Sequence, residues 1–239
     1  LKFYRNHEIE EIAEARLREL EKELGKPLSP PIPIDILAEK VLGLDFLWDS
    51  IEELPGEQIL GGLIPKRRLI VLNEKYQKLF NEKPGLEYFT KGHEMGHWDL
   101  FIDKSSLDNP SLFTGGDECA FARRRSNSGD IDIIKKLQGD PDGRELLRKF
   151  NERADDPDEA RSVNRYSAAL SMPKQLIREE ALKIDRTHWP NLYQLAEKFN
   201  VTISALKVRL MQLKLLHIDE SGKLHDSPDA VTGQGKLSF

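Results

Sequence analysis

Apolar and polar positions follow three successive patterns along this chain. The first is helical. Over about 8–24, Ile9, Ile12, Ala13, Leu17, Leu20 and Leu24 recur at the spacing of one helix face, and Gly25 and Pro27 end the run. Pro30-Pro31-Ile32-Pro33 reads as a rigid extended connector into a short helix over 35–42, with Asp35 as cap and Gly43 as stop. The second pattern predicts strands over 44–48, 58–64 and 68–72, punctuated by Gly61-Gly62 and Pro65-Lys66. The third is helical again. After a break at Pro84-Gly85, the residues Leu86, Phe89, Thr90, His93, His97, Leu100 and Phe101 fall on one stripe.

From about 104 to 157 the sequence is polar and irregular, with short helical candidates at 131–138 and 144–150, and reads as a loop-rich insertion. Helical spacing returns over 159–173 through Val163, Tyr166, Ala169 and Leu170, and Pro173 opens a further helix to about 182. From Leu192 a helix, a turn at Asn200-Val201 and a second helix from near Ser204 resemble a helix-turn-helix unit. The expected fold is therefore α+β. It is a mainly helical core with a small three-stranded sheet over 1–183, then a helix-turn-helix-like region over 184–218 and a mobile tail over 219–239.

Candidate chemistry sits on the stripe after Pro84-Gly85. His93-Glu94-Met95-Gly96-His97 is an H-E-x-x-H pattern, and on a helix its two imidazoles point to one spot, as a Zn²⁺ ion requires. Glu94, beside the first ligand, can reach a metal-bound water and serve as general base, then return the proton to a leaving amine. A catalytic zinc takes three protein ligands, and no further histidine follows at metzincin spacing. Glu159, leading the next ordered helix, is the first candidate for the third ligand, and Glu118 the second; an exposed glutamate without a role is the plain alternative for either. Mn²⁺ and Fe²⁺ suit the same donors. Tyr88, Tyr166 and Arg161 are positional candidates for steadying an oxyanion.

Composition narrows the setting. Of 239 residues 38% are hydrophobic and 32% charged, enough for a core under a well-solvated surface. A net charge of −5 argues against nucleic-acid binding over the whole surface, though not against a local basic patch. Neither a membrane-spanning run nor a signal peptide is legible, and the single cysteine, Cys119, forms no internal disulfide, so a cytoplasmic setting without membrane attachment is expected.

The motifs together resemble the ImmA/IrrE metallopeptidases. The resemblance rests on Phe89-Thr90, the H-E-x-x-H pattern, Asn164-Arg165-Tyr166-Ser167-Ala168-Ala169-Leu170-Ser171-Met172-Pro173, Leu195-Ala196-Glu197-Lys198-Phe199-Asn200-Val201-Thr202 and Arg209-Leu210, and it covers nearly all of 8–216 except the insertion. It implies a gluzincin-type zinc endopeptidase that cleaves a cognate helix-turn-helix repressor and so releases a DNA-damage, stress or defence operon. It also implies that Asn164 supports a ligand histidine. The family's ligand glutamate lies four residues before that asparagine, at Ala160 here, so Glu159 stands one residue further away.

Cys119 is a candidate fourth zinc ligand holding the enzyme latent, as is thought for some defence-associated relatives of this type. The adjacent Arg123-Arg124-Arg125 would then receive single-stranded DNA as the activating signal. The plain reading is an idle cysteine beside a solvated charge run. The rival function is a DNA-binding regulator with a structural zinc site and no proteolysis.

Overall fold

The computed structural model describes residues 3–51, 53, 57–107, 120–125 and 157–226. Helix α1, Asn6–Leu24, buries Ile9, Ala13, Leu17 and Leu20 and stops at Gly25, whose φ of 63° suits a residue without a Cβ. Helix α2, Ile34–Ile36, continues as a π-helical turn, Leu37–Leu42, ended by Gly43. Asp35 is not its cap: it lies inside the first turn, and its carboxylate pairs with Lys91 at 2.9 Å.

The three expected strands form at β1 Asp45–Asp49, β2 Glu57–Ile64 and β3 Leu69–Asn73, and a fourth, β4 Ala120–Arg125, joins them. The sheet order is β1-β3-β2-β4. β1 runs parallel to β3, with Asp45 opposite Leu69, while β2 runs antiparallel to β3 and to β4. The insertion, expected to be loop-rich, thus contributes the edge strand beside β2. A six-residue run ending in three arginines carries little of the alternation by which a strand is recognised.

Helix α3 is Gln77–Glu82 and α4 is Pro84–Leu100. Pro84 opens α4 rather than preceding it, since the first helical residue needs no N–H donor. Gly85 is needed there because a Cβ would stand 2.7 Å from the backbone of Val201. After α5, Lys104–Leu107, the next described helices are α6 Pro157–Ser171, α7 Lys174–Ala181, α8 Trp189–Lys198 and α9 Ile203–Gln212. Asn200 takes a φ of 53° in the turn between α8 and α9, and Thr202 caps α9 by accepting from Ala205 N at 3.2 Å.

The chain does not loosen at 219. β5 His217–Ile218 pairs with β6 Leu224–His225. Asp219 Oδ1 accepts from the backbone of Ser221 at 2.9 Å and Lys223 at 3.0 Å, which folds the intervening turn and buries Leu224.

A large core joins most of these parts, with Ile9, Trp98, Val163, Leu195 and Leu210 all in it, and a smaller cluster packs Leu60, Phe80 and Leu86. Arg209 of α9 is fully buried. It forms two bonds to Glu10 of α1, at 2.5 and 2.8 Å, and one to the carbonyl of Met172 at 3.0 Å. Among the described residues no helix is long and apolar enough to cross a membrane.

Candidate metal centre

The spacing of His93 and His97 puts both rings on one side of α4, and their Nε2 atoms lie 3.1 Å apart. Both rings are buried, and so is Glu94. Keeping a carboxylate out of water beside two imidazoles is costly, a placement more typical of working sites than of stabilising ones.

The outer nitrogen of each ring meets an oxygen from α6. Asn164 Oδ1 lies 2.9 Å from His93 Nδ1, and Glu159 Oε1 lies 2.9 Å from His97 Nδ1. Amide and carboxylate oxygens accept here, so each Nδ1 donates, and in the neutral rings each Nε2 turns a lone pair toward the other. Two lone pairs at 3.1 Å repel unless a proton or a cation lies between them. Two nitrogens bound to a tetrahedral zinc ion would stand roughly 3.3 Å apart, so the donor pair fits such an ion. Among the described residues no set of three His, Cys, Asp or Glu side chains forms a complete metal cage.

Small residues bring α6 this close. A Cβ on Gly92 would stand 2.5 Å from Ser167 Oγ, and one on Gly96 would stand 3.0 Å from the Val163 side chain. These two glycines lie four apart on the face of α4 that meets α6, so the helices approach nearly backbone to backbone.

Glu159, expected as third ligand, meets His97 on its outer side, at Nδ1. Relative to Ala160, its position is turned by about 100° around the helix. Asn164 contacts His93 as described. The tyrosines have other partners: Tyr88 donates to the carbonyl of Ile32, and Tyr166 donates to Asp99 Oδ2 at 2.7 Å. Both hydroxyls are engaged by these partners in this structure. Burial, then the Asp35 carboxylate, push the Tyr88 phenol up, and burial with Asp99 does the same for Tyr166. Arg161 is exposed and pairs with Asp158. Cys119 and Glu118 lie outside the described residues.

The residue that sequence reasoning missed is Asp99, a fully buried carboxylate. Arg16 grips it at 2.7 and 3.0 Å, Lys104 reaches it at 2.7 Å, and the Tyr166 hydroxyl completes the set. Burial alone would raise its pKa, but the bonds from Arg16, Lys104 and Tyr166 outweigh burial and hold it below the usual carboxylate range. The available signal was an acidic residue between Trp98 and Leu100 on a helix that is otherwise largely buried.

No protein-family model matches the sequence, and no curated protein matches it. Among solved structures, a Mycobacterium tuberculosis transcriptional regulator superposes with a TM-score of 0.45 at 13% identity, over 92% of this chain and 55% of that one. The chain therefore spans little more than half the length of that protein. Similarity at this level assigns neither family nor function.

Proposed function

We propose that this chain is a zinc-dependent, site-specific endopeptidase of the ImmA/IrrE type that cleaves a helix-turn-helix repressor to induce a stress, DNA-damage or defence operon. The observation that carries the reading is the imidazole pair, with Nε2 atoms 3.1 Å apart and both outer nitrogens held by oxygens of α6. An arrangement that fixes both tautomers serves metal ligation better than it serves packing.

His93 and His97 would hold the ion, Asn164 orienting His93, with Glu159 beside His97 as its third ligand or, in its present contact, as the group orienting that ring. When bound, zinc supplies Lewis acidity at a peptide carbonyl and an acidified water. Glu94 is the base of the site: it takes the proton of the attacking water and delivers it to the departing amine. The buried surroundings of both imidazoles limit competing water. Cys119 as a latent-state ligand and single-stranded DNA as the activating signal belong to the same proposal.

The test is incubation of the purified, zinc-loaded protein with the helix-turn-helix repressor encoded beside its gene, with and without single-stranded DNA. Wild type, Glu94→Gln and Cys119→Ser are compared by gel and mass spectrometry. One cut that needs Glu94 is expected, and no cut by any zinc-loaded variant removes the reading for that substrate. DNA-independent cutting by Cys119→Ser supports the latent switch, and unchanged basal cutting by that variant ends it.

The helix pair α8–α9 favours the second reading, a DNA-binding regulator. Against it, Tyr193 of α8 and Val208 and Met211 of α9 are exposed, an apolar set for a helix that would enter a groove lined with phosphates. Salt-dependent duplex binding without proteolysis would favour this reading.

A further inference from the structure

Four pairings between α4 and α6 run in opposite directions along the two helices: Gly92 with Ser167, His93 with Asn164, Gly96 with Val163, and His97 with Glu159. The helices are therefore antiparallel, and Ser167 and Val163 of α6 fill the space that side chains at Gly92 and Gly96 would need. The contacts to the imidazoles depend on where α6 sits along α4. One residue of helix is about 1.5 Å of travel, so even a fraction of a residue of slip would break the contacts that orient both imidazoles.

Outside the site itself, two polar bonds from side chains of α6 reach α4. Ser167 Oγ donates to the carbonyl of Phe89 at 3.1 Å, and the Tyr166 hydroxyl donates to Asp99 Oδ2 at 2.7 Å. Asp99 is itself fixed by Arg16 of α1 and by Lys104 of α5. Tyr166 therefore ties α6 to a carboxylate already anchored by two other elements.

We propose that Tyr166 is a positioning residue. Through its hydroxyl on Asp99 it sets α6 along α4, and so keeps Asn164 on His93 and Glu159 on His97. It acts on the imidazoles through other groups and touches neither. The consequence for metal affinity rests on the metal-centre reading; the consequence for the imidazole protons does not.

The experiment compares the full chain as wild type, Tyr166→Phe and Tyr4→Phe. Phenylalanine keeps the buried ring of Tyr166. Tyr4→Phe is the control, since it likewise removes a phenol hydroxyl, one that bonds the carbonyl of Leu100 at 2.6 Å at the end of α4. Long-range proton–nitrogen spectra of the imidazoles are recorded without metal, and zinc affinity is read by competition with a chromogenic chelator. Wild type and Tyr4→Phe are expected to show a proton held on Nδ1 of both His93 and His97, with any further proton lying between the two Nε2 atoms. Tyr166→Phe is expected to show mixed tautomers and zinc affinity lower by about tenfold. The spectra decide: unchanged tautomers in Tyr166→Phe, or the same mixture in Tyr4→Phe, overturns the proposal whatever the zinc affinity. A wild type that binds no zinc would remove the metal-centre reading and leave the tautomer comparison intact.

Discussion

Gly96 lies against Val163 so closely that a Cβ at position 96 would stand 3.0 Å from the valine side chain and 3.1 Å from its Cα. The closeness of two backbones, more than any single polar bond, puts α6 within hydrogen-bond reach of the imidazoles on α4.

Gly96→Ala is expected to push the helices apart by a few tenths of an ångström and to cost about 1–3 kcal/mol, the usual range for overpacking. Zinc affinity should fall with it, because the contacts from Asn164 and Glu159 lengthen. Urea denaturation and chelator competition on the same preparation check both. A fully stable variant with wild-type affinity would show that the helix spacing does not govern the site.

Glu94→Gln keeps the size of the side chain and removes its basicity. It should bind zinc as wild type does and lose roughly 10²–10⁴ in cleavage rate. Cutting at the normal rate would take the general-base role away from Glu94.

Asn164→Ala and Glu159→Ala each remove an oxygen from an outer imidazole nitrogen, and each should weaken zinc binding by about 10–100-fold. Glu159 offers a sharper comparison. If Glu159→Ala abolishes binding while Asn164→Ala only weakens it, the carboxylate is a ligand rather than an orienting group.

Asp99 makes stability depend on pH in a definite direction. Its folded pKa is depressed, so its contribution is in place above the unfolded value of about 3.9 and is lost as the pH falls through the lower folded value. Asp99→Asn should cost about 3 kcal/mol at neutral pH, and that gap should narrow below about pH 4. Denaturation curves for both chains at several pH values test this. A gap that stays constant with pH would mean that the charge of Asp99 is not what stabilises the fold.

Much of the site was legible because its signals are local. The stripe through His93 and His97 announced both a helix and two imidazoles on one side of it, and the helices around Val163 and Leu195 followed from the same periodicity. What escaped depends on partners distant in sequence. Asp99 reads as a surface acid until Arg16, 83 residues away, is brought to it. Gly92 reads as an ordinary helix weakness until Ser167 occupies the space a side chain would need. Asp219 likewise looked like part of a loose tail, because a carboxylate that organises its own turn resembles any other acid among glycines and serines.

The bond between Glu10 and Arg209 spans 199 residues, and Gly85 at the start of α4 rests on Val201. The helix bearing the imidazoles therefore lacks its final neighbours until almost the whole described chain has been synthesised. Contacts this distant close late, because loop-closure entropy must be overcome first. A nascent chain still on the ribosome would carry the H-E-x-x-H segment without the packing that aims it. The imidazole pair would then take its final setting only once translation has passed α9.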